Sequence, residues 1–166
     1  MQQLAITAVG PDRPALVDEL TERLERYQVN IADSRMVNLH GQFALVMLVE
    51  VADAEADGLV AALPDLGESM GLTVTAASAG DADRSRGVPY RIRTYAMDQA
   101  GLVRRITHVL GRHNINIEDL TTRLEHGPHT GTPLFSMDMI VTVPVDVSLK
   151  TVRDELESLC AQLNCD

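Results

Sequence analysis

The chain has 166 residues, 45% of them hydrophobic, and a formal charge of −10. That size allows one or two domains with aliphatic cores, since Trp is absent and only 3% is aromatic. The acidic balance argues against direct binding to nucleic acid, which needs a basic face, and no apolar run approaches the ~18 residues of a membrane span.

In chain order, residues 3–9 alternate and predict a strand. Gly10-Pro11-Asp12-Arg13-Pro14 reads as a turn opening a helix, with Asp12 as its N-cap and a proline in the first turn. Leu16, Val17, Leu20, Leu24 and Tyr27 make one helical stripe. Val29-Asn30-Ile31 leads into a second strand ending near Asn38, His40-Gly41 turns the chain, and residues 43–51 form a third strand. Leu59, Val60, Leu63, Leu66 and Met70 predict a second helix, broken or kinked at Pro64 and ended by Gly71, before a fourth strand over 72–78. On the third strand Ala44, Val46 and Leu48 face away from Phe43, Leu45, Met47, Val49 and Val51, yet are also apolar. That pattern predicts a covered outer face, by the other copy or by another subunit.

After residue 80 the order starts again. Asp12-Arg13-Pro14-Ala15-Leu16-Val17 realigns on Asp98-Gln99-Ala100-Gly101-Leu102-Val103, 86 positions later. The register holds through Thr21/Thr107, Leu24/Leu110, Arg26/Arg112, Asn30/Asn116, Ile31/Ile117 and Asp33/Asp119. Two copies at this spacing mean two small domains, not a solenoid. Strands are expected over 89–97, 115–125 and 135–143, with helical stripes from Leu102 to His113 and from Leu149 to Leu163. The second copy differs in a longer turn, His126-Gly127-Pro128-His129-Thr130-Gly131-Thr132-Pro133, and in reaching Asp166 where a fourth strand should begin. Either that strand is missing or a few residues stand in for it, and the first strand of this copy is then expected to be an exposed edge needing cover. The expected boundaries are 1–79, a polar linker over 80–87, and 88–166. The order is βαββαβ twice, an α+β, ferredoxin-like arrangement with antiparallel sheets and helices on one face.

Charge divides unevenly between the copies. Residues 1–80 hold 4 Arg against 12 Asp and Glu, a net −8, and residues 81–166 hold 10 basic against 12 acidic groups, a net −2. Cys160 and Cys165 fit no zinc or CxxC spacing. With the N-terminus running straight into a strand, free thiols and a cytoplasmic setting are expected. His126 and His129 lack a third ligand at useful spacing, so no metal or other cofactor is expected. No Ser–His–Asp set, P-loop or dinucleotide fingerprint appears, so an enzyme is not expected.

The identities cluster at the two ends of one helix. Free backbone N–H groups at its start suit a carboxylate, and Asp12 or Asp98 suits an ammonium group. The candidate ligand-binding residues, expected in a cleft between copies, are therefore Asp98, Gln99, Ala100, Gly101 and Leu102 with Asn116 and Ile117. Their counterparts, Asp12, Arg13, Pro14, Ala15 and Leu16 with Asn30 and Ile31, form a weaker second site, because Ala15 replaces the glycine. Asn30 and Asn116 also suit a plain turn into the next strand.

These two segments, each with its following Asn-Ile, resemble the ACT domain, a module that binds amino acids and regulates. A stand-alone pair of this length is similar to the glycine cleavage system transcriptional repressor family. That resemblance implies a small amino acid ligand, glycine or serine. It also implies no DNA-binding domain, action by contact with a DNA-binding transcription activator, and a homo-oligomer. The alternative is a detached regulatory subunit of an amino-acid or one-carbon metabolic enzyme.

Overall fold

A computed structural model describes residues 1–80, 87–126 and 131–166. Most of the expected linker, and the expected turn beyond His126 up to Thr130, lie outside the described residues. The chain divides into two compact units, Met1–Ala82 and Asp83–Asp166.

The first unit runs β1 (Gln2–Pro11), α1 (Leu16–Glu25), β2 (Asn30–Leu39), β3 (Gln42–Val51), α2 (Asp53–Met70) and β4 (Thr73–Ser78). The sheet is antiparallel in the order β2-β3-β1-β4. Alternation puts Leu4, Ile6 and Ala8 of β1 and the five odd residues of β3 from Phe43 to Val51 on one face. Leu16, Leu20 and Leu24, four apart on α1, meet them, as do Leu59 and Leu63 of α2. Each such leucine, buried fully, contributes roughly 1.5–3 kcal/mol. Helix α2 sits close to the sheet because Gly67 lacks a Cβ, which would lie 2.7 Å from the Leu72 carbonyl oxygen.

The second unit runs β5 (Gly87–Met97), α3 (Leu102–Arg112), β6 (Asn116–His126), β7 (Pro133–Pro144) and α4 (Leu149–Leu163), with sheet order β5-β7-β6. Ile106 and Leu110 of α3 pack on Met137, Met139 and Val141 of β7. The fourth strand is reduced to a bridge between Ala96 and Cys165, closed by two 2.9 Å backbone bonds between Tyr95 and Asp166. A few residues thus stand in for β4. The repeat extends to irregularities: β2 shifts register between Ile31 and Asp33, and β6 between Ile117 and Asp119.

The expected break in the second helix is absent. Helix α2 is continuous through Pro64. The proline removes the bond to the Val60 carbonyl, and Val60 lies on the exposed side of the helix, at 41%. The outward face of β3 is not covered within its unit: Val46 is 49% exposed, with Ala44 and Leu48 half-buried.

Candidate functional site

Each unit's strand-to-helix turn ends on a left-handed residue, Ala15 at φ 66° before α1 and Gly101 at φ 88° before α3. Neither helix receives a side-chain cap. Asp12 is therefore not the N-cap expected of it: the left-handed residue and the turn intervene between its carboxylate and the helix. The first helical bonds run from Glu19 N–H to Ala15 C=O at 2.9 Å and from Arg105 N–H to Gly101 C=O at 3.0 Å. The N–H groups of residues 16–18 and 102–104 have no intrahelical acceptor and carry the positive end of the dipole.

In the first unit this turn is closed. Asn38 of β2 donates its amide to the Asp12 carboxylate and accepts the Gly41 N–H at 3.3 Å. The Asp12 N–H donates to the Gly41 carbonyl at 2.8 Å. Arg13 pairs with Glu19 at 2.6 Å and reaches the Pro14 carbonyl, and Arg23 takes the other Glu19 oxygen at 2.7 Å. The Arg13 hydrogen bond, helped by Arg23 against a smaller cost of burial, holds the Glu19 carboxyl below its usual value. With Asp18 and Glu19 in the first turn, α1 greets an incoming carboxylate with negative charge.

In the second unit the turn is open. The Asp98 N–H donates to the Pro133 carbonyl at 3.1 Å, but its carboxylate has no partner among the described residues. Gln99 donates to the Leu163 carbonyl at 2.6 Å, fastening the turn to the end of α4. Leu102 is buried beside Ala96, Leu163 and Cys165, and Ala100 is exposed. The space over Gly101 is empty out to 4.0 Å, where the Arg105 Nε lies. Arg104 and Arg105 stand where the first unit has Asp18 and Glu19, and neither is paired among the described residues. Backbone donors are thus left open at this turn, with the Arg105 Nε 4.0 Å from the place of a Gly101 Cβ.

The other half of each expected site is elsewhere. Asn30 faces Glu50, eight residues along β3 from the Gln42 that pairs with Pro11. At ~3.3 Å per residue that is about 26 Å. In the second unit Asn116 pairs with Thr142, while Leu134 pairs with Met97 beside the turn. Nothing the size of glycine or serine touches both ends within one unit. Asn30 donates to Glu50 at 3.2 Å, and Asn116 to Glu118 at 2.8 Å. Asn116 and then Thr142 hold the Glu118 carboxyl low. Ile31 is exposed and Ile117 half-buried at the start of their strands. Asn38, Arg104 and Arg105 escaped the sequence reasoning, although adding 86 to Asn38, Asp18 and Glu19 would have exposed the contrast.

A pocket of about 380 Å³ lies on the outward face of the second sheet, over Arg91, Tyr95, Thr121 and Asp138. Two of its charges are tied to each other: Arg91 holds Asp138 through two bonds of 2.8 and 2.5 Å, and Arg93 adds a third contact at 3.3 Å. The Arg91 bond keeps the Asp138 carboxyl low. Among the described residues no group of three or more His, Cys, Asp or Glu is placed to hold a metal, and no helix is long and apolar enough to cross a membrane.

Residues 2–77 match one ACT-domain family model and residues 90–161 another. The glycine cleavage system transcriptional repressor of Escherichia coli (strain K12) is 24% identical over 162 residues, 97% of this chain and 85% of that protein. A UPF0237 protein of Methanococcus maripaludis is 34% identical over 76 residues, 45% of this chain and 84% of its own. Among solved structures, an unknown protein from Galdieria sulphuraria superposes with a TM-score of 0.82 at 25% identity, covering 99% of this chain and 95% of that one. With both halves matched, and with the βαββαβ order and its reduced second copy on view, the chain belongs to the ACT-domain family as a tandem pair.

Proposed function

We propose that this protein is an amino-acid-sensing regulator that acts through protein contacts, with the second unit as its sensor. The observation that carries this is the open turn at Gly101. A small zwitterion places its carboxylate on the N–H groups of residues 102–104 and on Arg105, and its ammonium on the unpaired Asp98 carboxylate. Glycine and serine fit best, because a longer side chain must leave this shallow turn. The first-unit turn is the weaker site, because Asn38 already holds Asp12 and the helix start is acidic.

The likeness to the glycine cleavage repressor over nearly the whole chain supports the further reading that the signal is passed to a DNA-binding activator of that system. The net charge of −10 fits action through such a partner and not on DNA itself.

Calorimetry and melting with each amino acid test the sensor. Glycine or serine should bind and raise the melting temperature, since ligand at 100 times its Kd adds about 2.7 kcal/mol. No heat and no shift at millimolar concentration with any amino acid rejects it. Affinity capture from cell extract tests the output: a transcription factor supports this reading, and a metabolic enzyme supports a detached regulatory subunit instead.

A further inference from the structure

With the repeat's offset of 86, Ala8 and Val9 of β1 correspond to Thr94 and Tyr95 of β5. In the first unit β4 lies along β1, from Thr73 opposite Val9 to Ser78 opposite Leu4. In the second unit Asp166 takes the place of Thr73, joined to Tyr95 by two backbone bonds of 2.9 Å. Beside β5, no described residue pairs in the places that Val74 to Ser78 fill beside β1. Peptide groups of alternate residues point to opposite sides of a strand, so Arg93 and Arg91 share the side on which Tyr95 bonds Asp166. Their N–H and C=O groups are open there, and Pro89, on the same side, has no N–H to offer. The inward row is short of cover as well. Leu4 and Ile6 are 2% and 0% exposed, whereas their counterparts are Tyr90, at 37%, and the half-buried Ile92. A mostly apolar cleft of about 470 Å³ adjoins this edge, lined in part by Ile92, Thr94, Ile106, Leu156, Cys160 and Cys165. It lies where counterparts of Val74 and Ala76 would project, since those two face Ala8 and Ile6, the equivalents of Thr94 and Ile92.

We propose that this edge receives an extended segment of a partner protein, which joins the sheet as an antiparallel strand beside β5. The proposal rests on the reading of a regulator that acts through protein contacts, and it names the surface of contact. The first unit supplies the pattern. Two small or β-branched aliphatic residues, in the places of Val74 and Ala76, fill the cleft. The residues that alternate with them, in the places of Thr75 and Ala77, lie on the outward face beside Arg93 and Arg91. Those two exposed guanidinium groups share one carboxylate, that of Asp138. Acidic residues at the outward positions match the remaining positive charge. The segment therefore alternates aliphatic with acidic residues. Strand β4 of a second copy does not serve, because its Val74 and Ala76 are packed in their own core.

Amide hydrogen exchange on the full chain, read residue by residue by NMR, tests this with synthetic peptides. No amino acid is added, so failure here leaves the sensor reading and the capture experiment to stand or fall by themselves. In the free chain Arg91 and Arg93 should exchange as open amides, while Ile92 and Thr94, which face β7, are protected. The capped peptide Val-Glu-Ala-Glu-Ser should slow exchange at Arg91 and Arg93 by about tenfold when present at roughly 10 times its Kd. Lysine at both glutamate positions should weaken that protection, and aspartate at the valine position should abolish it. These changes are made in the peptide, so the fold of the protein is the same in every arm. Arg91 and Arg93 amides already protected in the free chain overturn the proposal. Sedimentation then tells whether the chain itself or a second copy closes the edge. No added protection from the glutamate peptide at millimolar concentration also overturns it, as does equal protection by all three peptides.

Discussion

Asn38 holds the Asp12 carboxylate across the top of the first sheet, and the equivalent residue in the second unit, Leu124, leaves Asp98 free. One polar residue therefore separates a tied turn from an available one. Leu124→Asn should tie Asp98 in the same way and weaken glycine binding by about tenfold, roughly 1.4 kcal/mol, measured by calorimetry. Asn38→Leu should free Asp12 and cost about 1 kcal/mol of stability for the lost hydrogen bond, visible in the urea midpoint. Unchanged glycine affinity in Leu124→Asn removes Asp98 from the ligand's ammonium.

The left-handed cap position allows a paired backbone experiment. Ala15 sits at φ 66°, a conformation that costs an L-residue about 1 kcal/mol and glycine almost nothing. Ala15→Gly should stabilise the first unit by about that amount. Gly101→Ala should destabilise the second by a similar amount through the backbone alone, since the new methyl meets nothing nearer than 4.0 Å. The same φ of 88° means that a bulky Gly101 variant perturbs the turn as well as the ligand. Denaturant titration of each variant checks the two signs.

Helix α2 contains two glycines with opposite requirements. A methyl group at Gly67 would lie 2.7 Å from the Leu72 carbonyl oxygen, whereas one at Gly58 meets nothing. Gly67→Ala should cost about 1–3 kcal/mol by forcing helix and strand apart. Gly58→Ala should gain roughly 0.5–1 kcal/mol from helix propensity. Equal effects in the melting curves would mean that α2 is not seated on β4 as described.

Burial first, and then the neighbouring Cys165 thiol, push the Cys160 thiol up to about 12. A raised thiol value favours the folded state while the group is neutral. That contribution is complete below pH 9 and is lost as pH rises through 12. At pH 8 the native Cys160 should carry about 1,000-fold less thiolate than the unfolded chain, so alkylation should be slow until urea is added. Rapid labelling of Cys160 in native buffer contradicts this.

Much of this architecture was legible because periodicity and repetition reinforce each other. Leu16, Leu20 and Leu24 announce a helix, and the constant offset to Leu102, Ile106 and Leu110 announces a second. The failures have local causes. Asp12 looked like a cap because composition does not report φ, and Ala15 in a left-handed conformation is the residue that composition would least suggest. Pro64 looked like a break because a proline inside a helix removes one N–H donor, yet α2 runs on through it for 18 residues. Asp12 and Asn30 both adjoin α1, and the letters do not show that the strands beside it hold them a strand's length apart within one unit. The contrast between Asn38 and Leu124 was present in the letters, and it acquires meaning only once β2 is known to end beside the turn.

The sheet order β2-β3-β1-β4 gives the first unit a timetable. β1 leaves the ribosome before the other strands of its unit, and its second neighbour, β4, ends at Ser78. One side of β1 therefore stays open while the intervening residues are made, and the loop that closes it spans nearly the whole unit. Among the described residues the second unit adds the Ala96–Cys165 bridge at the corresponding stage. A nascent-chain chaperone should thus guard the first unit until β4 arrives.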